Sequence, residues 1–375
     1  MGFKEPIIRS YNGQIDKARV EELGRRCEVG PAQHVLFTET MGDPICRIRN
    51  SPLHSMLVAE VDNELVGVIQ GSIKMVTLNK DVNKVGYILG LRVSPPYRHR
   101  GIGTSLVRNL QQWFVANQVD YAYMATEKDN EASINLFVNK FGFVRFRTPA
   151  ILVQPVSRRL SRLEPGVDVA RLRVEQAEFL YKTFMGSTDF FPHDIDNVLR
   201  NKLSLGTWMA YPRGESFGVD QGRLPNSWAM LSVWNSGELF RLRIGKAPLS
   251  CCLYEACSRL MDRTFPCFKV PELPDFFDPF GFYFLYGLHR EGPGSGPLVR
   301  TLCKFVHNMA MKSRECKIIV TEIGGGDKLR LHIPHWKLLS CPEDLWCIKA
   351  LGRNSLHDLT RDPPTRALFV DPREV

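Results

Sequence analysis

A chain of 375 residues with 44% apolar content can bury two ordinary domain cores, and it carries no apolar run or leader that would place it in or across a membrane. Ten cysteines without paired Cys-x-x-Cys spacing predict reduced, buried thiols of a cytosolic or nuclear protein and exclude a disulfide framework. The formal net charge of +9 is dispersed, and its densest group, Arg158-Arg159-Leu-Ser-Arg162, lacks any helix-turn-helix or zinc-finger pattern, so direct nucleic-acid binding is not expected.

In chain order, a strand from Ile7 precedes an amphipathic helix over 16–27, whose Val20, Leu23, Gly24 and Cys27 share one face. Residues 31–52 read as a polar, Pro/Gly-marked connection. The runs 56–60 and 65–76 are apolar strands joined by the hairpin signal Val61-Asp-Asn-Glu64. Residues 77–85 read as a further turn and 87–93 as a strand that stops at Pro95-Pro96. The period then becomes helical over 104–117, with Leu106, Val107, Leu110, Trp113 and Phe114 forming a core face. A strand at 121–126 follows, then a helix over 132–139 capped by Asn130.

The junction at Arg98-His-Arg-Gly-Ile-Gly-Thr104 carries the clearest chemistry. The first amides of a helix have no internal partners and sit at the positive end of its dipole, so they suit phosphate. Gly101 and Gly103 let a diphosphate approach the backbone, and Arg98, His99 and Arg100 add neutralising charge. The Rossmann and P-loop patterns are both absent.

Set between a strand and an amphipathic helix, Arg98-x-x-Gly101-x-Gly103 resembles the acyl-CoA pyrophosphate loop of the GNAT N-acetyltransferase superfamily. Cys27-Glu-Val-Gly-Pro31, Gly42-Asp-Pro-Ile-Cys-Arg-Ile-Arg49, Asn201-Lys-Leu-Ser-Leu-Gly-Thr207, Ile333-Pro-His-Trp-Lys337, Asp344-Leu-Trp-Cys-Ile-Lys349 and Phe369-Val-Asp-Pro-Arg-Glu374 look like the plant Hookless family of GNAT-like proteins. The resemblance implies an α/β fold with a mixed sheet and acetyl-CoA as co-substrate. Arg98, Arg100, Gly101, Ile102, Gly103 and Thr104 would cradle its diphosphate, and Asn130 would help position it. The strands at 87–93 and 121–126 would run parallel and splay, so that the backbone at Leu91 and Val93 meets the pantetheine amides. The connection 31–52 would lie near the acceptor, with Glu39, Asp43 and Arg47 as candidates. A nuclear protein acetyltransferase acting in hormone-controlled differential growth, with histone tails as the proposed protein acceptor, is the family's implied role.

Two departures bear on catalysis. Phe137 stands where many members place a tyrosine acid, and one additional residue precedes Gly142. A benzene ring donates no proton, so that acid is absent or supplied elsewhere, with Tyr123 the candidate substitute. An attacking amine must be neutral, and Glu127 is the first candidate base, with Glu60 second. A backbone amide near Val93 would hold the oxyanion.

Thr148-Pro149, Gln154-Pro155 and Glu164-Pro-Gly166 suggest an N-terminal coenzyme domain over 1–150, a linker over 151–168 and a second domain over 169–375. The latter reads as a degenerate copy, giving two tandem GNAT-like lobes: helices at 174–185, 194–202 and 253–263, strands at 207–211 and 228–234, then strand 281–287, His289-x-x-Gly292-x-Gly294, helix 298–311 and strand 317–322. His289 replaces the arginine, and Pro293 removes an amide donor. His332-x-x-His335 with Cys341 lacks zinc-ligand spacing, so no metal is expected. The expected activity is acetyl transfer from acetyl-CoA to an amine, most simply a protein lysine. The alternatives are a small-molecule amine acetyltransferase and a CoA-binding regulator without turnover.

Overall fold

The computed structural model describes residues 5–27, 35–157, 159–215, 217–246, 278–337, 339–341, 343–352, 356, 359, 363 and 365–375. The helix expected at 253–263 lies outside them. The first part runs β1 (Ile7–Ser10), α1 (Gly13–Arg26), β2 (Val35–Glu39), β3 (Leu53–Val61), β4 (Glu64–Leu78), β5 (Asp81–Val93), α2 (Ile102–Ala116), β6 (Tyr121–Glu127), α3 (Glu131–Ile134) and β7 (Val144–Arg147). The second runs β8 (Pro149–Pro155), β9 (Val167–Leu172), α4 (Val174–Met185), β10 (Phe191–Pro192), α5 (Ile195–Arg200), β11 (Ser204–Pro212) and β12 (Trp228–Asn235). It closes with β13 (Arg241–Lys246), β14 (Gly281–Glu291), α6 (Ser295–Ala310), β15 (Cys316–Gly324) and β16 (Asp344–Ala350).

Local chemistry sets the meander. Asp62-Asn63 and Asn79-Lys80 both have two consecutive positive φ angles, the backbone that two-residue hairpins favour because its twist matches the strands. The second pair corrects the long turn expected at 77–85: β4 and β5 pair down to Leu78 and Asp81. The connection 31–52 is not all loop either, since β2 pairs with β13 of the second part.

The first sheet has the order β1-β3-β4-β5-β6-β16-β7, and the second β8-β15-β14-β12-β11-β9. The lobes therefore exchange strands. β16, far along the chain, lies between β6 and β7 and is antiparallel to both. β8, which directly follows β7, leaves for the second sheet and pairs with β15, so the linker expected from residue 151 begins inside a strand. Pro149 and Pro155 are tolerated at the ends of β8, where the ladder is completed by one neighbour.

One face of the first sheet packs on α2 through Ile69, Ile73, Ile88, Leu106, Leu110 and Phe114. Its other face, with Tyr87, Leu89, Tyr121 and Tyr123, merges with the second lobe in one continuous core. Across that junction the segment 365–375 runs as a strap. Arg373 binds Asp371 and Asp194, while Lys74 on β4 reaches Asp371 at 3.2 Å and Glu374 at 2.8 Å. Arg147 and Asp189 make a second buried pair at 2.9 Å. Buried charges are tolerable here because each has a partner of opposite sign.

Candidate acetyl-transfer site

β5 and β6 run parallel but pair only from Val85↔Tyr121 to Ile88↔Met124. Beyond Ile88 the strands fork, as expected. Opposite the fork the β4–β5 register slips between Val68 and Gln70, and Gly90 takes a φ of +64°, a conformation that side chains resist. The stretch holding Leu91 and Val93 thus presents one edge of its backbone to a gap. Part of that edge is already in use: the Val93 carbonyl accepts from Arg98 Nε at 3.2 Å and from Cys27 Sγ at 3.3 Å.

The glycine loop opens directly beside this gap. Gly101 caps α2 with φ +81°, and a Cβ built there would have no atom within 4 Å. At Gly103 the nearest atoms, on Leu136, Val93 and Leu91, stand 3.8–3.9 Å away. The helix N-terminus is therefore uncovered. Arg98, His99 and Arg100 are exposed, Thr104 is half-buried, and Arg100 lies over the Tyr97 ring. Ile102 is buried, so its side chain anchors the helix and only its backbone faces the loop. Asn130 caps the next helix, its side-chain oxygen accepting from Ser133 N at 3.1 Å.

That next helix explains the family departures. After one α turn it widens into a π-helix over Asn135–Lys140, which absorbs the additional residue before Gly142. Phe137 is buried edge-on against Phe143 in the α2-side core.

The proton-transfer candidates are distributed differently from expectation. Tyr123 is fully buried, stacked between Tyr87 and Trp346, and its hydroxyl donates to Glu374. Burial and the Glu374 charge push its pKa well above 10, so the expected acid holds a proton already committed to a neighbour. Glu60 is bound by Arg9 and Arg19, which hold its carboxyl below the usual range and make it a weak base. Glu127 ends β6 opposite Asp344. Burial and the nearby Asp129 raise its pKa, the direction that suits a base.

On the second-lobe side of the fork lies a cavity of about 370 Å³, lined by Glu21, Glu39, Arg47, Gln70, Gly90 and Arg92 among others. Gln70 donates to the Pro44 carbonyl at 2.8 Å while its own side-chain oxygen is buried without a partner. Of the candidates in 31–52, Glu39 pairs with Arg243, Asp43 pairs with Arg49, and Arg47 faces the cavity. Sequence patterns gave no role to Lys74 and Glu374, which the strap brings together, or to Arg92, which lines the cavity.

The second lobe repeats the frame but not the opening. β14 and β15 pair in parallel through Leu285↔Thr321, and Gly287 has φ +60° beside another register slip. Here, however, a Cβ on Gly296 would meet the His332 ring at 2.3 Å, and one on Gly292 the Asn226 carbonyl at 2.0 Å. At the N-cap Gly294 a Cβ would have no atom within 4 Å, as at Gly101, but the His332 ring covers Gly296, two residues on, where α2 has the open Gly103.

Residues 18–143 match the family described as Acetyltransferase (GNAT). The chain is 45% identical to an Arabidopsis thaliana protein named "Probable N-acetyltransferase HLS1-like", covering 98% of each chain. It is also 45% identical to "Probable N-acetyltransferase HLS1" of the same plant, over 98% of this chain and 99% of that one. The chain belongs to the HLS1-like family of GNAT acetyltransferases. This HLS1-like chain is accordingly an acyltransferase, and its GNAT fold implies acetyl-CoA as donor. A solved tandem GNAT protein from the clavulanic acid biosynthesis pathway shares the two-lobed fold, with a TM-score of 0.52 at 9% identity over 94% of this chain and all of that one.

One buried carboxyl gives a pH prediction. Glu322 on β15 accepts from Trp346 Nε1 at 3.1 Å, and burial with the Asp344 charge pushes it up to about 8. The folded state then holds this proton more tightly than the unfolded chain, whose Glu titrates near ~4.3. The stabilisation is complete below that value and is lost as pH rises through about 8. Melting temperatures of the wild type should fall over this interval, and those of Glu322→Gln should fall less; parallel curves would contradict the assignment.

Proposed function

We propose that the first lobe binds acetyl-CoA and transfers its acetyl group to a protein lysine. The observation that carries this reading is the uncovered N-terminus of α2 standing beside a fork that opens after Ile88. Amides from Gly101 to Thr104, with Arg98 and Arg100, hold the diphosphate. The pantetheine arm lies in the fork against the backbone at Leu91 and Val93, and Asn130 keeps its side-chain amide nitrogen for the coenzyme. The acceptor amine arrives through the cavity at Gly90 and Gln70. Its nitrogen attacks the thioester carbon, the carbon–sulfur bond breaks, and the thiol leaves with a proton. Glu127, which has no cation partner among the described residues, takes the ammonium proton through water. Histone tails as acceptors, a nuclear location and a role in differential growth rest on the resemblance to the Hookless family.

The test is to incubate the protein with acetyl-CoA and a panel of histone-tail and other lysine peptides, then read the peptides by mass spectrometry. A mass increase on lysine is expected. Tight acetyl-CoA binding with no acetylated peptide or small amine would refute transfer and leave a coenzyme-binding regulator.

A further inference from the structure

The cavity beside the fork holds four arginines, Arg25, Arg47, Arg92 and Arg243, against two glutamates. Arg25 and Arg243 are spoken for, pairing with Glu22 and Glu39. Arg47 and Arg92 are not. Arg47 gives Nη2 to the Glu374 carbonyl at 3.3 Å and lies over the Phe240 ring, while its Nε is buried without a partner. Arg92 stands on β5 beyond its last pair with β6, where the β4 ladder resumes after the bulge opposite Val68. Neither has a carboxylate partner among the described residues. Burial and the positive charge of Arg47 both depress the pKa of Arg92, so the two guanidinium groups repel one another within a partly enclosed space.

Elsewhere this chain pairs its buried charges, as at Lys74, Arg147 and Arg373. Two neighbouring guanidinium groups left without an ion-pair partner in a cavity are therefore a receptor for an anion. Planar forks of N–H donors match a carboxylate best. Glu21 shares the cavity, but one of its side-chain oxygens is buried without a hydrogen-bond partner, and it forms no ion pair with Arg47 or Arg92 among the described residues.

We propose that Arg47 and Arg92 form a carboxylate-binding subsite next to the fork, so that the acceptor carries an acidic group a short distance from the amine that receives the acetyl group. The inference rests on the transferase reading and narrows it: a lysine with an acidic neighbour, or a free amino acid, is preferred over a uniformly basic tail. The two sources share one chemistry and are separated by the arms of the test.

Turnover is measured on 6-aminohexanoate against n-pentylamine, and on peptides with Glu or Gln beside the lysine, using wild type, Arg92→Met and Arg47→Gln. The wild type should favour the carboxylate-bearing member by about tenfold or more in kcat/KM, equivalent to about 1.4 kcal/mol. Both variants should lose most of that preference while the KM for acetyl-CoA stays unchanged. A preference confined to the peptide pair identifies a protein acceptor, and one confined to the free amine a small molecule. Equal use of both members by the wild type, or a preference surviving in both variants, overturns the subsite. Binding of 6-aminohexanoate without acetyl-CoA, followed by calorimetry, gives a readout that persists if transfer itself fails. Loss of that binding in Arg92→Met, with an unchanged melting temperature, supports the subsite even then, and no binding by wild type defeats it.

Discussion

Acetyl-CoA should bind the wild-type chain and fail to bind the Gly101→Glu/Gly103→Glu variant, with affinity falling by about 100-fold or more, roughly 2.7 kcal/mol. Two carboxylates would occupy the place where amides and Arg98 and Arg100 await a doubly charged diphosphate, replacing attraction with repulsion in the same few ångströms. The fold itself should survive. A Cβ at Gly103 meets only ordinary contacts at 3.8–3.9 Å, and one at Gly101 points into open space. The φ of +81° at Gly101 penalises any side chain by about 1–2 kcal/mol. Acidic groups in the first turn of α2 offset part of that through the helix dipole. Calorimetric titration with acetyl-CoA, beside a melting curve, decides the matter. Retained affinity at an unchanged melting temperature would remove the diphosphate from this loop.

The second large effect is on the architecture. Ile348→Pro should destabilise the protein by about 3 kcal/mol or more and abolish acetyl-CoA binding, although residue 348 is remote in sequence from the coenzyme loop. β16 pairs with β6 on one edge and β7 on the other, so a proline there removes a ladder hydrogen bond and clashes in a strand with no free edge. Leu345, Trp346, Cys347 and Ile348 are all buried, and Trp346 stacks on Tyr123 of β6. Disturbing β16 therefore loosens the strand that forms one arm of the fork. Thermal melting and coenzyme titration on the same preparation provide the check: wild-type values in both would mean that β16 does not complete the first sheet.

The elements that local chemistry dictates were legible in the sequence. Alternation and turn residues located β3, β4 and β6, the helical period located α2 and α4, and the glycine pair located the loop, because each signal sits within a few neighbouring residues. Strand exchange was not legible. Residues 149–155 read as a proline-marked boundary and 344–349 only as a family motif, since nothing local says which sheet a short apolar run will join. The same limit applied to the site. Arg98, Gly101 and Gly103 announce themselves by spacing, whereas Arg47, Arg92, Lys74 and Glu374 meet only through tertiary contacts. Tyr123 shows the converse error: its face along β6 was readable, but the strap that claims its hydroxyl lies at the far end of the chain.

The interleaving of the sheets also constrains how the molecule can be made. During synthesis β6 and β7 emerge long before the strand that must lie between them, so the nascent first half carries two unsatisfied edges that invite pairing with other chains. Contacts this distant in sequence close slowly. Maturation should thus be rate-limited by the arrival of the final segment and sensitive to chaperone supply, with premature termination yielding aggregates in place of a smaller working enzyme.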